Sequence, residues 1–137
     1  MTRVLVVDDH DYFRGCLVDL LSSTPDLVAV GECRDGSGVL EAVRALRPDV
    51  VLLDVQMPVR NGFEAAGDLH AAREAARVIL LSAEPVERCR ARAEGNGVVG
   101  HVPKGAPGGQ VLAAVRRVAS GGTAWSDDVP PHGASPW

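Results

Sequence analysis

Short apolar runs alternate along the chain with longer segments in which apolar residues recur three or four positions apart. The runs predict five strands, at about residues 3–7, 27–31, 49–53, 77–81 and 98–102. The periodic segments predict five helices, over 11–23, from 39 to Pro48, over 61–74, over 86–94 and from about 111 to Gly121. This alternation is typical of a parallel sheet with crossover helices on both faces.

Polar residues follow four of these runs at the point where each strand ends. They are Asp8 and Asp9 after the first run, Asp54 after the third, Ser82 after the fourth and Lys104 just after the fifth. In a parallel sheet buried on both faces, ligands bind in the crevice outside the carboxyl ends of the strands. We therefore expect three carboxylates, a hydroxyl and an ammonium to converge there.

The periodic pattern stops after the last helix. Residues 121–137 contain three prolines and two tryptophans but no lysine or arginine. Segments of this composition without periodicity are typical of tails and linkers. We predict one domain over 1–120 and a tail or truncated linker over 121–137. Its tryptophans are expected to face solvent, although Trp125 could instead fold back on the last helix.

The totals narrow the class of protein. With 137 residues the chain is long enough for one domain, and no apolar stretch approaches the length of a membrane span. The apolar run near the N-terminus is too short for a signal peptide, so we expect a soluble cytoplasmic protein. A formal net charge of -4 argues against general affinity for nucleic acid. Three widely spaced cysteines fit neither a disulfide framework nor a zinc site and are interpreted as reduced packing residues.

The predicted cluster has an electrostatic requirement. Three carboxylates brought together repel one another unless a cation neutralises them. Magnesium takes oxygen ligands, uses one or two carboxylates and keeps waters that a phosphate can replace. Lys104 and Ser82 could then bind phosphoryl oxygens, and a carboxylate beside the metal is a ready phosphoryl acceptor. The residues thus indicate phosphate chemistry.

Each of these residues also has a simpler interpretation when taken alone. Asp8, Asp9 and Asp11 could cap the first helix, and Asp54 could be a turn residue at the end of a strand. Ser82 could cap the fourth helix, and Lys104 could be a surface lysine. Their register at the ends of successive strands favours a common site. We interpret His10 as a residue at the start of the first helix, or as one that contacts the metal ligands, rather than as a metal ligand itself.

Four motifs in this order resemble the response-regulator receiver domain. They are VLVVDDH at 4–10, DVVLLDVQMPVRNG at 49–62, VILLSA at 78–83 and VPKGA at 102–106. The stretches DDHDYFRGCLVDLL at 8–21 and GGTAW at 121–125 are similar to the NarL/LuxR-type branch of transcriptional regulators. The resemblance covers about residues 1–120. It implies a flavodoxin-like, doubly wound five-stranded parallel sheet in the order 2-1-3-4-5 with five helices.

The resemblance also implies a function. Asp54 would accept a phosphoryl group from a sensor histidine kinase, and Mg²⁺ would be held by Asp9, Asp54 and the Gln56 carbonyl, with Asp8 acting through water. Lys104 would bind the phosphoryl group. Because phosphoryl transfer needs mainly positioning and charge neutralisation, the chain would catalyse its own phosphorylation and dephosphorylation without being an enzyme for other substrates.

In this family a hydroxyl residue and an aromatic residue respond to phosphorylation. Ser82 and His101 match these two positions, and His101 departs from the usual Tyr or Phe. A smaller, polar ring gains less from burial, so we hypothesise a weaker or pH-sensitive switch. Gln56 and Glu84 flank the predicted route of a hydrolytic water and are expected to set the phosphoryl lifetime.

Two other classes of function compete with the phosphorylated switch. The first is a receiver-like docking or dimerisation module that is never phosphorylated. The second is a metal-dependent phosphatase, which is weaker because Asp54-Val55-Gln56 lacks a second carboxylate two residues after the first. We expect no membrane association and no direct DNA binding, since nothing after residue 122 could build a helix-turn-helix. A homodimer linked to phosphorylation is expected from the family alone.

Overall fold

A parallel sheet with helices on both faces organises residues 1–126, the part of the chain that this computed structural model describes, apart from the side chain of Glu94. The strands are β1 (Thr2–Val7), β2 (Leu27–Cys33), β3 (Val50–Asp54), β4 (Arg77–Ser82), β5 (Val98–Pro103) and β6 (Ala124–Trp125). The helices are α1 (Asp11–Ser22), α2 (Val39–Leu46), α3 (Gly62–Ala71), α4 (Val86–Ala93) and α5 (Gly108–Ala119). Short 3₁₀ turns precede α2 and follow α4.

The order of strands in the sheet is β2-β1-β3-β4-β5-β6. The predicted flavodoxin-like fold and the order of its first five strands are confirmed, and a sixth strand is added at the edge. The order reverses at β1, so the carboxyl ends of β1 and β3 border the crevice in which such sheets bind ligands.

Alternate residues of each central strand enter different apolar layers. In β1, Leu5 and Val7 face the layer built with α2, α3 and α4, whereas Val4 and Val6 face the layer built with α1 and α5. All four side chains are fully buried. Full burial of such a side chain stabilises a fold by about 1.5–3 kcal/mol, so the central strands form a rigid base for the loops at their carboxyl ends.

The junction between β3 and α3 depends on a glycine. The Gly62 amide donates a hydrogen bond to the Val55 carbonyl over 2.8 Å, and a side chain at this position would collide with the backbone of Asp54. Asn61 and Glu64 form a reciprocal capping box, in which each side chain accepts a hydrogen bond from the other's amide. Helix α3 therefore begins directly against the strand that carries Asp54.

The segment after α5 differs from its prediction. Strand β6 pairs in parallel with β5, with Ala124 opposite Gly100 and Trp125 opposite His101. Trp125 is buried, and the Arg90 guanidinium of α4 lies 5.0 Å from the centre of its ring. The expectation that Trp125 faces solvent is therefore wrong. A strand of two residues is too short to produce a periodic signal in the sequence.

Packed structure thus continues past residue 120. The rest of the predicted tail, residues 127–137 with Trp137, lies outside the described residues.

Helix α3 is shorter than predicted, whereas the sparse apolar face predicted for α4 is confirmed. Helix α3 ends at Ala71 rather than near residue 74, because Arg73 adopts a left-handed conformation with φ 55° that turns the chain towards β4. Helix α4 buries only Cys89 and Ala93, which agrees with the thin apolar face expected of it.

Two expectations from composition can be compared with the structure. Within residues 1–126, no helix is long and apolar enough to cross a membrane. The three cysteines are free thiols, as expected. Cys89 is buried, but Cys16 is exposed, so the interpretation of every cysteine as a packing residue is wrong for Cys16.

Candidate functional site

The predicted polar side chains meet at the carboxyl edge of the sheet, where β1, β3, β4 and β5 lie side by side. Asp8, Asp54 and Ser82 are buried there. A cavity of about 520 Å³ opens above them and is lined by His10, Tyr12, Phe13, Asp54, Gln56, Ser82, Ala83 and Lys104. A neighbouring cavity of about 440 Å³ is lined in part by Asp9, Gln56 and Glu84. The structure therefore brings together the residues predicted from the strand ends.

One ammonium group links two of the carboxylates. Lys104 Nζ lies 3.1 Å from Asp54 Oδ2 and 3.1 Å from Asp8 Oδ2. The three residues come from different strand ends: Asp8 follows β1, Asp54 ends β3 and Lys104 follows β5. The ammonium also lies 4.9 Å from the centre of the Phe13 ring, a distance at which cation and ring attract each other. Lys104 is thus fixed over the carboxylates by contacts on several sides.

The shared ammonium does not fully compensate the acidic groups. Burial of Asp54 raises its pKa, and the hydrogen bond from Lys104 opposes this rise only in part, while the nearby charge of Asp8 adds to it. For Lys104, burial disfavours the charged form, but its hydrogen bonds to Asp54 and Asp8 prevail and raise its pKa. Two carboxylates stabilise the charged form of Lys104, whereas the two carboxylates have only one ammonium between them.

The oxygen atoms around the ammonium fit a divalent cation. Ligand atoms of Asp8, Asp9, His10 and Asp54 all lie within 4.8 Å of one another. Asp8 Oδ2 and Asp9 Oδ1 are buried and receive no hydrogen bond, although each lies within ion-pair distance of a basic side chain. Buried carboxylate oxygens of this kind are the ligands that Mg²⁺ prefers. Asp8, Asp9 and Asp54 could therefore hold such an ion.

A buried arginine fixes the loop that carries Asp8. Arg14 donates one hydrogen bond to the Asp8 carbonyl over 2.8 Å, one to Asp11 Oδ1 over 2.7 Å and one to Glu32 Oε1 over 3.0 Å. Sequence reasoning missed this residue. A signal was present, since Arg14, Leu17 and Leu21 form the buried face of α1, where a charged residue is unexpected.

The remaining predicted residues lie beside the cavity or behind it. Ser82 Oγ accepts a hydrogen bond from the Glu84 amide over 2.9 Å, which fixes the loop after β4. His101 does not line the cavity. It is buried on β5, and a hydrogen bond of 2.8 Å joins its Nδ1 to Ser126 Oγ, just after β6.

Comparisons with known proteins agree with one another. The family model described as the response regulator receiver domain matches residues 4–116. The DNA-binding transcriptional activator DevR/DosR of Mycobacterium tuberculosis is 36% identical over 121 residues, which cover 88% of this chain and 56% of that protein. Response regulator GacA of Pseudomonas aeruginosa is 35% identical over 121 residues, with the same two shares. The chain thus spans little more than half the length of these relatives.

Solved structures give the same result. The signal receiver domain assigned to the response regulator NarL of Mycobacterium tuberculosis has a TM-score of 0.83 and 35% identity, over 88% of this chain and 97% of that one. A LuxR-family response regulator from Aurantimonas sp. SI85-9A1 has a TM-score of 0.86 and 26% identity, over 93% of this chain and 92% of that one.

The raised pKa of Asp54 predicts a dependence of stability on pH. The folded state binds this proton more tightly than the unfolded chain, so ionisation of Asp54 destabilises the fold. The penalty is absent below the unfolded-state pKa, about 3.9 for aspartate, grows as the pH rises and is complete above the folded-state pKa. Asp54→Asn should therefore raise the midpoint of thermal unfolding by a few degrees at pH 7.5 in metal-free buffer. The gain should vanish below pH 4.

The matched control is Asp19→Asn, which removes an exposed carboxylate of α1. It should leave the midpoint nearly unchanged. An Asp54→Asn variant that is less stable than the parent at pH 7.5 would contradict the electrostatic argument.

Proposed function

The chain belongs to the family of response-regulator receiver domains, and from this premise we propose that it is a phosphorylation-dependent switch of a two-component system, with Asp54 as the phosphoryl acceptor. The observation that carries the proposal is the convergence of three carboxylates at one edge of the sheet, where Lys104 Nζ lies 3.1 Å from Asp54 Oδ2 and 3.1 Å from Asp8 Oδ2. A docking module that is never phosphorylated has no need for this buried and electrostatically costly arrangement.

The proposed reaction transfers one group to the chain itself. A carboxylate oxygen of Asp54 attacks the phosphorus of a phosphohistidine, the P–N bond breaks, and the imidazole leaves and takes up a proton. A mixed anhydride forms on Asp54. Because the transition state is loose, the chain contributes mainly positioning and charge neutralisation, and small acyl phosphates could also serve as donors. The chain acts on itself and is not an enzyme for an external substrate.

The cation implied by the family has a defined place in this proposal. Asp9, Asp54 and the backbone carbonyl of Gln56 would hold Mg²⁺, and Asp8 would act on it through water. When bound, the ion neutralises charge on the carboxylates and on the incoming phosphoryl oxygens. The two buried oxygens without hydrogen bonds, Asp8 Oδ2 and Asp9 Oδ1, support this assignment.

Lys104 and Ser82 bind the transferred group. Phosphorylation of Asp54 places new anionic oxygens beside Lys104 Nζ, so the ammonium exchanges a carboxylate partner for a phosphoryl partner. Ser82 Oγ already accepts a hydrogen bond from the Glu84 amide, and its hydroxyl proton can be donated to a second phosphoryl oxygen. This second contact would draw the loop after β4 towards Asp54.

The proposed partners follow from the family. The phosphoryl donor is a sensor histidine kinase, and the place of action is the cytoplasm. The relatives include a DNA-binding transcriptional activator, which suggests that this receiver controls an output domain that regulates transcription. The net charge of -4 supports the view that the receiver itself does not bind DNA. Phosphorylation-linked homodimerisation belongs to the same proposal.

Mass spectrometry tests the acceptor directly. Incubation of the protein with acetyl phosphate and Mg²⁺ should add the mass of one phosphoryl group, because Asp54 is the carboxylate beside Lys104 that lines the larger cavity. The gain should disappear without Mg²⁺ and in Asp54→Ala, and it should persist in the control Asp19→Ala. If neither acetyl phosphate nor phosphoramidate modifies the parent protein, the docking module becomes the better hypothesis.

The phosphoryl lifetime tests the proposed role of Glu84, whose side chain lines the cavity next to Asp9 and Gln56. If its carboxylate orients the hydrolytic water, Glu84→Ala should slow dephosphorylation several-fold, as measured by loss of the phosphoryl mass over time. Gln56→Ala should have an effect in the same direction. Glu87→Ala, which removes an exposed carboxylate from the first turn of α4, serves as the control. Equal decay in Glu84→Ala and Glu87→Ala would eliminate this role.

The amplitude of the switch tests the role of His101. Its hydrogen bond to Ser126 holds the imidazole at the β5–β6 edge, so we expect a smaller response than with a Tyr or Phe ring. His101→Tyr should enlarge the amide chemical-shift changes of α4, β5 and α5 when beryllofluoride and Mg²⁺ are added. His70→Tyr, on the exposed surface of α3, should not. If these chemical-shift changes are no larger in His101→Tyr than in the parent protein, the hypothesis that His101 weakens the switch is wrong.

A further inference from the structure

His10 points its ring nitrogen into the acidic cluster rather than towards the helix that it precedes. It occupies the N-cap position of α1, but its side chain makes no capping hydrogen bond. Its Nδ1 lies 3.1 Å from Asp8 Oδ1 and 3.2 Å from Asp9 Oδ1. The backbone amide of His10 fixes this placement, since it donates a hydrogen bond to Asp8 Oδ1 over 2.8 Å.

The contact with Lys104 indicates that His10 Nδ1 presents a lone pair to the cluster. Lys104 Nζ lies 3.0 Å from His10 Nδ1. An ammonium group only donates hydrogen bonds, so Nδ1 is the acceptor in this contact, and its lone pair faces the cluster. A nitrogen lone pair and two carboxylate oxygens in contact repel one another unless a cation lies among them. In the described structure, the Lys104 ammonium contacts the nitrogen and Asp8 Oδ1, the latter over 3.3 Å.

The distances suit a metal ion as well as an ammonium. Two neighbouring ligands of an octahedral ion, each about 2.1 Å from the metal, lie about 3.0 Å apart. The separations of 3.1 and 3.2 Å from His10 Nδ1 to the two carboxylate oxygens are close to this value. Asp9 Oδ1, one of the two oxygens, is buried and receives no hydrogen bond. The ring nitrogen therefore already lies at the spacing of a neighbouring ligand from both oxygens.

We propose that His10 is a nitrogen ligand of the cation in the pocket of Asp8, Asp9 and Asp54, and that it shifts the preference of this pocket from Mg²⁺ towards divalent transition metals. The inference rests on the cation of the proposed function and deepens it. Mg²⁺ prefers oxygen ligands, whereas imidazole suits transition metals, whose affinity for nitrogen rises from Mn²⁺ to Co²⁺ and Ni²⁺. An all-oxygen pocket would discriminate less between these two classes of ion.

Mn²⁺ is a suitable probe because it is paramagnetic and a bound nitrogen is detected directly. Electron spin echo envelope modulation of untagged protein loaded with one equivalent of Mn²⁺ should show coupling to a directly bound ¹⁴N nucleus. The coupling should be lost in His10→Ala and retained in His70→Ala, which removes an exposed imidazole from α3. Circular dichroism of the variants verifies that the fold is unchanged, as expected for a His10 side chain that is 62% exposed.

Metal affinities provide an independent readout. The ratio of the Co²⁺ affinity to the Mg²⁺ affinity, measured by calorimetric titration, should fall about tenfold in His10→Ala and stay constant in His70→Ala. Mn²⁺ binding without nitrogen coupling, together with an unchanged ratio in His10→Ala, would overturn the inference and leave the proposed function intact. A parent protein that binds none of these ions would overturn both, so the two failures are distinguishable.

Discussion

The rest of the site depends on the repulsion among the carboxylates at the carboxyl edge of the sheet. Asp8 and Asp54 are buried at the ends of adjacent strands and share the ammonium of Lys104, so the positive charge within reach is smaller than the negative charge. Burial raises the pKa of Asp54, and the hydrogen bond from Lys104 compensates this rise only in part. A bound cation would therefore stabilise the pocket, and displacement of the Lys104 ammonium would leave the carboxylates less compensated.

A repulsive arrangement of this kind requires a rigid support. The central strands are buried on both faces by two apolar layers, which leaves the loops little freedom at their bases. Arg14 ties the loop after β1 to α1 and β2, and Gly62 lets α3 begin directly against the Asp54 backbone. The unfavourable free energy of placing these carboxylates together is thus offset by packing elsewhere in the fold. Strained sites persist in stable proteins in the same way.

The site and the fold were predictable where a repeating pattern or a strand end gave the signal. Alternating apolar runs identified the first five strands, and the polar residues that follow them identified Asp8, Asp54, Ser82 and Lys104. The position of Trp125 in a sixth strand was not predictable, because two residues contain no period and their pairing depends on the edge of β5. The direction of the His10 side chain was equally hidden, since helix capping and ligation require similar positions in the sequence.

Strand β5 connects the pocket with β6 and α4. It ends just before Lys104, and three residues earlier it carries His101, which pairs with Trp125 and is hydrogen-bonded to Ser126. Trp125 in turn lies under Arg90 of α4. A change in the partners of Lys104 therefore acts on a strand whose edge is already covered by β6. Any rearrangement of His101 must also disturb β6, so the proposed switch would act on the residues that follow α5 as well as on α4.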